Sequence, residues 1–337
     1  MKSLMVLATL AAAAAPLSDD SSAILGRAVG ASLQGDAKSA LEILRPIDVS
    51  SLDPKDQAFV ICMRERFGSS EKQSLVPSHD LAGRAASVYR SYWHSSLLHP
   101  SERGAAEERL RVHLRRLLKA PAKSDMDALE TSLEKALAAR GHYSLEGQTG
   151  VLHEFMDWTK ETKKTLNVSL PEGVERVKVV FLAGFKSLGW GDYSTCGRRG
   201  AGGWATKDTL FAVVPRYESL DGEEFKVTFL GHESQHFADF RKFGQLEPWR
   251  MEYRAKLVEL AEVDVTRAKV LRKFIEDQGS DPKSPHSFAN RRVLGEMAGR
   301  LGQASTAQLF DIELSKLHSA AVAALNEDTR QLQAARQ

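Results

Sequence analysis

Cysteine is scarce in this sequence, since only Cys62 and Cys196 occur among its 337 residues. Two cysteines so far apart fit neither a zinc ribbon nor a Cys-x-x-Cys redox pair. The sequence leaves two alternatives open, because it does not report the distance between their Cα atoms. They form one disulfide that joins the two halves of the chain, or they are two free, buried thiols.

An excess of charge of either sign is also absent. The chain has 46 Lys and Arg residues, 44 Asp and Glu residues and a net charge of +2. Proteins that bind nucleic acids or anionic membranes carry a basic patch that this balance does not supply. We therefore expect no nucleic-acid partner, and a peptide, protein or small-molecule substrate is favoured.

Long apolar runs are missing, and no segment predicts a membrane span. One shorter run, residues 4–15, follows Lys2 and contains several Ala-x-Ala cleavage options. We predict that residues 1–15 are a signal peptide, with cleavage shortly before Pro16. The mature protein is then periplasmic or secreted and has no membrane span. A buried N-terminal helix is the alternative.

The sequence does contain a helical pattern, interrupted by one stretch of strand pattern. Helical periodicity runs from about residue 20 to 165. Over residues 167–185, alternation of apolar residues and many β-branched side chains predict strands, and a glycine-rich loop leads into a further strand at residues 210–214. Helices return over about residues 222–243, 248–279, 284–301 and 305–333.

This pattern predicts an α+β fold that is predominantly helical. We expect a helical N-terminal region over residues 16–165. Residues 166–337 are expected to hold a small mixed sheet, a motif-bearing helix and further C-terminal helices. At 42% apolar residues, the chain can bury one large core or two modest ones.

The stretch GHESQHFADF, residues 231–240, places His232 and His236 four positions apart, with Glu233 directly after the first. The histidines share helical spacing with four phenylalanines, and we expect this stripe to face the core: Phe225, Phe229, Phe240 and Phe243. Two imidazoles one turn apart can both bind one Zn²⁺ ion at about 2.0–2.1 Å. Glu233 is rotated by about 100°, so it can reach a water on the ion without binding the ion. We therefore predict a zinc site with Glu233 as the general base; a pair of core histidines without a metal is the alternative.

A catalytic zinc needs a third protein ligand, and no further histidine follows the motif at the HExxHxxGxxH spacing. A tight turn at Gly244 would fold the next helix back toward the histidines and bring Glu252 to the ion. We predict Glu252 as the third ligand, with Glu247 and Glu259 as competitors. The structural alternative is an exposed Glu252 paired with Lys256 one turn later.

HESQH followed by a glutamate on the next helix resembles the gluzincin class of zinc metallopeptidases. The resemblance covers roughly residues 175–260. It implies a zinc ion held by His232, His236 and Glu252, with Glu233 as the general base. It also implies a peptide substrate that is aligned on an edge strand just before the motif helix.

The strand at residues 210–214 stands where that edge strand is expected. The chain departs from the NExxSD pattern of thermolysin-like enzymes, so Asp239 or Glu259 is expected to orient a histidine in place of the missing aspartate. The group that stabilises the oxyanion is left open among four candidates: Tyr193, Tyr253, Arg254 and His286.

The function that these observations predict is that of a zinc-dependent hydrolase. We expect a secreted or periplasmic metallopeptidase whose zincin-like domain covers residues 166–337 and whose zinc-bound water is activated by Glu233. The alternative is a helical interaction module with a structural or degenerate metal site. A third reading is an HExxH hydrolase that acts on something other than a peptide. Glu233 discriminates between enzyme and module, because a structural site needs no base.

Overall fold

The structure is a computed structural model that describes residues 19–68 and 78–335. The predicted signal peptide, residues 1–15, lies outside this part of the chain. The described residues form 13 α-helices and two small sheets of three and four strands. The predicted α+β, predominantly helical class is confirmed. None of these helices is long and apolar enough to cross a membrane.

The helices and strands are numbered separately in chain order. The helices are α1 Asp19–Leu33, α2 Ala37–Leu44, α3 Pro54–Phe67, α4 Leu81–Leu98, α5 Arg103–Leu118, α6 Met126–Ala138, α7 Trp190–Ser194, α8 Glu223–Phe225, α9 His232–Phe243, α10 Pro248–Glu262, α11 Arg267–Glu276, α12 Pro285–Arg300 and α13 Leu314–Ala334. The strands are β1 Tyr143–Thr149, β2 Leu152–Trp158, β3 Lys160–Leu170, β4 Gly173–Ala183, β5 Ser187–Leu188, β6 Gly203–Ala205 and β7 Thr209–Val213.

The chain divides into two compact units. Unit 1 contains the described residues up to Thr159 together with Gly184–Ala201. Unit 2 contains Lys160–Ala183 and the described residues from Gly202 onward. The predicted domain boundary between residues 165 and 166 stays a prediction. The second compact unit begins at Lys160, the first residue of β3.

Unit 1 packs its helices around a core that contains Tyr89, Trp93 and Phe155. Four aspartates begin its helices, since each side chain accepts a hydrogen bond from a backbone N–H of the first turn: Asp36, Asp53, Asp80 and Asp125. Such caps contribute about 1 kcal/mol each. Cys62 and Cys196 form a disulfide, and both cysteines lie in unit 1 rather than in two halves of the molecule.

The predicted helical pattern up to residue 165 is wrong over its last part. The helices end at α6, and β1, β2 and β5 form an antiparallel sheet in the order β1-β2-β5. Every residue of β2 is buried, so its sequence lacks the alternation that distinguishes a strand from a buried helix. In unit 2, the first part of β3, residues 160–166, was missed because it carries exposed charged side chains.

The sheet of unit 2 has the order β3-β4-β7-β6, with β4 and β7 parallel and the other pairs antiparallel. The strand pattern predicted over residues 167–185 corresponds to the end of β3 and to β4, and the strand predicted at residues 210–214 corresponds to β7. The expected edge position of the latter is wrong, because β7 lies between β4 and β6. The strand at this edge is β6, whose three residues, Gly203–Ala205, are too few to show an alternating pattern.

The motif helix of unit 2 is continuous from Glu223 to Phe243, but it contains a π-helical segment, Lys226–Gly231, directly before His232. The helix predicted over residues 248–279 is in fact two helices, α10 and α11. The Glu223 carboxylate accepts hydrogen bonds from the backbone N–H groups of residues 264, 265 and 266. These hydrogen bonds bind the backbone of the non-helical connection between α10 and α11. Glu223 is about 40 residues away in the sequence, so no local sequence signal predicts the break.

Candidate metal centre

The motif helix turns both histidines toward α10, against which α9 packs. His232 is buried and His236 is half-buried. Three of the four phenylalanines of the predicted inward stripe are buried, but Phe240 is 49% exposed. Relative to His232, Phe240 lies about 80° around the helix at 100° per residue. Asp239 takes the inward position instead and is buried.

The ligand atoms of His232, His236 and Glu252 converge. The two imidazole Nε2 atoms lie 3.2 Å apart. Glu252 places Oε1 at 3.3 Å from Nε2 of His236 and Oε2 at 3.5 Å from Nε2 of His232. Ligands of a tetrahedral zinc ion, at bond lengths of about 2.0–2.1 Å, are about 3.3–3.4 Å from one another. The two nitrogens, and each nitrogen with its nearest carboxylate oxygen, are therefore separated by about the distance between two ligands of a tetrahedral zinc ion.

A sharp turn between α9 and α10 brings Glu252 to this point, as the sequence predicted. Gly244 has a φ of +69°, a conformation that residues with a Cβ atom rarely adopt. Glu252 is 9% exposed, so it is not the exposed helix acid of the structural alternative, although Nζ of Lys256 lies 3.9 Å from Oε2. Of the two competitors, Glu247 is exposed and Glu259 has another role.

Glu259 orients His232. Its Oε1 lies 2.6 Å from Nδ1 of His232, and Glu259 is 1% exposed. A carboxylate on Nδ1 accepts that N–H and leaves the Nε2 lone pair for a metal, as in carboxylate–histidine–zinc triads. The sequence offered Asp239 as the other candidate for this role. That candidate is wrong, because Asp239 accepts hydrogen bonds from Gln235 and Arg254.

The charges around the histidines favour a cation between them. Burial alone disfavours the protonated form of His232, but the carboxylates of Glu252 and Glu259 outweigh it and raise the pKa of His232 to about 9. Burial acts against the ionised form of Glu252 as well, and contacts with three imidazoles nevertheless hold the pKa of Glu252 below its usual value: His232, His236 and His286. Two buried carboxylates therefore stabilise positive charge at the point where the Nε2 atoms meet.

Glu233 is half-buried and, within the described residues, makes no hydrogen bond or ion pair. Its charge acts on Tyr217: burial raises the pKa of the Tyr217 hydroxyl, and the negative charge of Glu233 raises it further. Tyr217 donates a hydrogen bond to the carbonyl oxygen of Gly202 at 3.0 Å. Sequence reasoning missed Tyr217, because it stands in a connection without periodicity between β7 and α8.

Of the four candidates for the oxyanion group, His286 contacts the ligand set: its Nδ1 lies 2.7 Å from Oε2 of Glu252, and its side chain is 65% exposed. Arg254 is fully buried and is held by carboxylates on three sides: Glu172, Asp239 and Asp328. Tyr253 is buried as well. Tyr193 belongs to unit 1, where its ring packs against Phe67 and Trp93.

No other set of three His, Cys, Asp or Glu side chains in the described part of the chain brings its ligand atoms close enough to share a metal ion. Comparisons with protein-family models, curated proteins and solved structures found no match. The chemistry of the site is therefore argued from the side chains themselves. They provide two imidazole nitrogens, one carboxylate ligand and, beside them, the carboxylate of Glu233, which has no hydrogen-bond partner among the described residues.

Proposed function

We propose that this protein is a zinc metallopeptidase that hydrolyses peptide or protein substrates with Glu233 as the general base. The observation that carries the proposal is the convergence of the His232, His236 and Glu252 ligand atoms at 3.2–3.5 Å from one another. When bound, zinc supplies Lewis-acid activation of a water molecule and of the substrate carbonyl. The other steps belong to residues of the chain.

Each residue has a distinct role in this proposal. His232, His236 and Glu252 hold the ion, and Glu259 fixes the ring orientation of His232. Glu233 follows His232 on the same helix, and its carboxylate has no competing hydrogen bond among the described residues. It is thus available to take a proton from water and to return it to the leaving amine.

A peptide substrate is supported by the edge strand β6. Its outer side has no partner strand among the described residues, and a sheet edge of this kind is where an extended peptide adds as a further strand. A Cβ atom at Gly203 would lie 2.5 Å from the ring of Phe229. Because Phe229 stands one turn before His232, β6 packs against the helical segment that leads into the proposed metal ligands.

A closed structural site is the main alternative, in a helical module that only binds partners. Such a site has four protein ligands, whereas three converge in the described residues. The free Glu233 carboxylate also favours catalysis, because a structural site has no use for a base.

An exported protein is part of the proposal. The signal-peptide pattern of residues 1–15 and the disulfide between Cys62 and Cys196 both support an oxidising compartment. We expect the mature chain to begin near Pro16 and to be recovered from the periplasm or the medium. N-terminal sequencing of the fractionated protein tests this, and an intact Met1 in the cytoplasmic fraction would contradict it.

The direct test of catalysis is Glu233→Gln, which keeps the size of the side chain and removes the base. We expect the variant to bind zinc as the wild type does and to lose about 10²–10⁴-fold in kcat/KM on an unfolded protein substrate such as casein. Glu247→Gln, at an exposed glutamate, is the matched control and should keep full activity. Zinc-loaded Glu233→Gln with wild-type activity, or a zinc-loaded wild type that cleaves no peptide, would overturn the proposal.

A further inference from the structure

The two oxygens of the Glu252 carboxylate have different surroundings. Oε1 lies 3.3 Å from Nε2 of His236. Oε2 lies 2.7 Å from Nδ1 of His286, 3.5 Å from Nε2 of His232 and 3.9 Å from Nζ of Lys256. The shortest of these contacts joins Nδ1 of His286 to Oε2, at hydrogen-bonding distance. His286 does not belong to the metal triad.

Packing does not impose the contact between His286 and Glu252. His286 lies in the first turn of α12, whereas Glu252 lies on α10. The His286 side chain is 65% exposed, while that of Glu252 is 12% exposed. An exposed imidazole has many rotamers open to it, so burial of the ring does not hold it over Oε2.

The number of oxygens that Glu252 offers decides how open the metal is. With two histidines and one carboxylate oxygen, a tetrahedral ion keeps its fourth position for water. If both oxygens of the carboxylate bind, that position is crowded or lost. A group that holds one oxygen away from the ion therefore keeps the site catalytic.

We propose that His286 is a positioning residue that holds Oε2 of Glu252 and so makes Glu252 a one-oxygen ligand through Oε1. The inference rests on the proposed zinc site. It assigns His286 to the ligand carboxylate and not to the oxyanion of the substrate. Loss of His286 frees Oε2 to bind the ion, raises the coordination number and lowers the rate.

The test uses the full-length protein loaded with Co²⁺ in place of zinc, because four-coordinate Co²⁺ absorbs visible light more strongly than five-coordinate Co²⁺. We compare His286→Ala with His286→Gln, whose amide N–H can still donate to Oε2. His318→Ala removes another histidine of unit 2, which contacts a backbone carbonyl, and serves as the control.

We expect His286→Ala to bind Co²⁺ with a weaker visible band and to lose about 10–100-fold in kcat/KM with zinc. His286→Gln should restore most of both, and His318→Ala should match the wild type. A His286→Ala spectrum identical to that of the wild type overturns the inference alone, and so does a His286→Gln variant that behaves like His286→Ala. A wild type that binds no Co²⁺ and no zinc overturns the metal site itself.

Discussion

Both units bury a histidine against a glutamate, but the imidazole nitrogens are used differently. In unit 1, Nδ1 of His153 lies 2.9 Å from Glu130, and its Nε2 lies 3.7 Å from Glu107. In unit 2, Nδ1 of His232 is held by Glu259, and its Nε2 faces the Nε2 of His236. A buried histidine–glutamate pair is therefore common to a polar cluster of unit 1 and to the candidate metal centre of unit 2.

The difference arises from secondary structure. His232 and His236 are one turn apart on one helix, so their rings point to the same place. His153 lies on β2, where successive side chains point to opposite faces, and no second imidazole reaches its Nε2 within the described residues. Convergence of ligand atoms on one point, and not burial of a histidine beside an acid, distinguishes the candidate metal centre.

The largest expected effect is on zinc affinity, when one histidine of each cluster is replaced by glutamine. We expect His236→Gln to weaken zinc binding by more than the roughly 10–100-fold that loss of an outer partner costs. His153→Gln should leave zinc affinity unchanged, because its nitrogens face only carboxylates of unit 1. Competition with a chromogenic chelator measures both affinities. Equal affinities for the two variants would remove the distinction between the clusters.

A smaller effect is expected when the glutamate that holds Nδ1 is changed in each unit. Glu259→Gln keeps an oxygen near His232 but loses the charge that fixes its tautomer, so we expect zinc affinity to fall by about 10–100-fold. Glu130→Gln makes the same change beside His153 and should not alter zinc affinity. The same chelator competition reports both variants. A Glu259→Gln protein with wild-type zinc affinity would mean that Glu259 serves the fold and not the ion.

The smallest expected effect is on the pH dependence of stability, through the proton bound by Glu146 in unit 1. Burial, helped by the charges of Glu134 and Glu130, raises the pKa of Glu146 to about 8 from 4.5. The folded state then binds a proton that the unfolded state releases, so the free energy of unfolding falls as pH rises from about 4.5 to about 8. The slope is at most about 1.4 kcal/mol per pH unit.

Glu146→Gln should remove that slope, since its amide does not titrate. Calorimetry at several pH values between 5 and 8 measures the melting temperature of the variant and of the wild type. We expect the difference to grow with pH in favour of Glu146→Gln. Glu134→Gln, at an exposed neighbour, is the control and should show a much smaller change. A difference that is constant with pH would show that Glu146 is ionised in the fold.

The sequence predicted the parts of the site that depend on local geometry. Helical spacing was enough to place His232 and His236 together, and Gly244 signalled the turn that brings Glu252 to them. The sequence did not predict contacts between segments that are distant along the chain. The contact of His286 with Glu252 depends on how α12 packs on α10. The strand β2 and the first part of β3 were missed because burial on both faces of β2 and charge on β3 hide their alternation.

The central claim is that His232, His236 and Glu252 bind one zinc ion with an open position. Zinc K-edge X-ray absorption of the purified full-length protein, loaded with one equivalent of Zn²⁺, tests it most directly. We expect a tightly bound ion with two imidazole nitrogens and only oxygen as its other ligands. Failure to retain an equivalent of zinc, or a shell of four protein ligands without water, would contradict the claim.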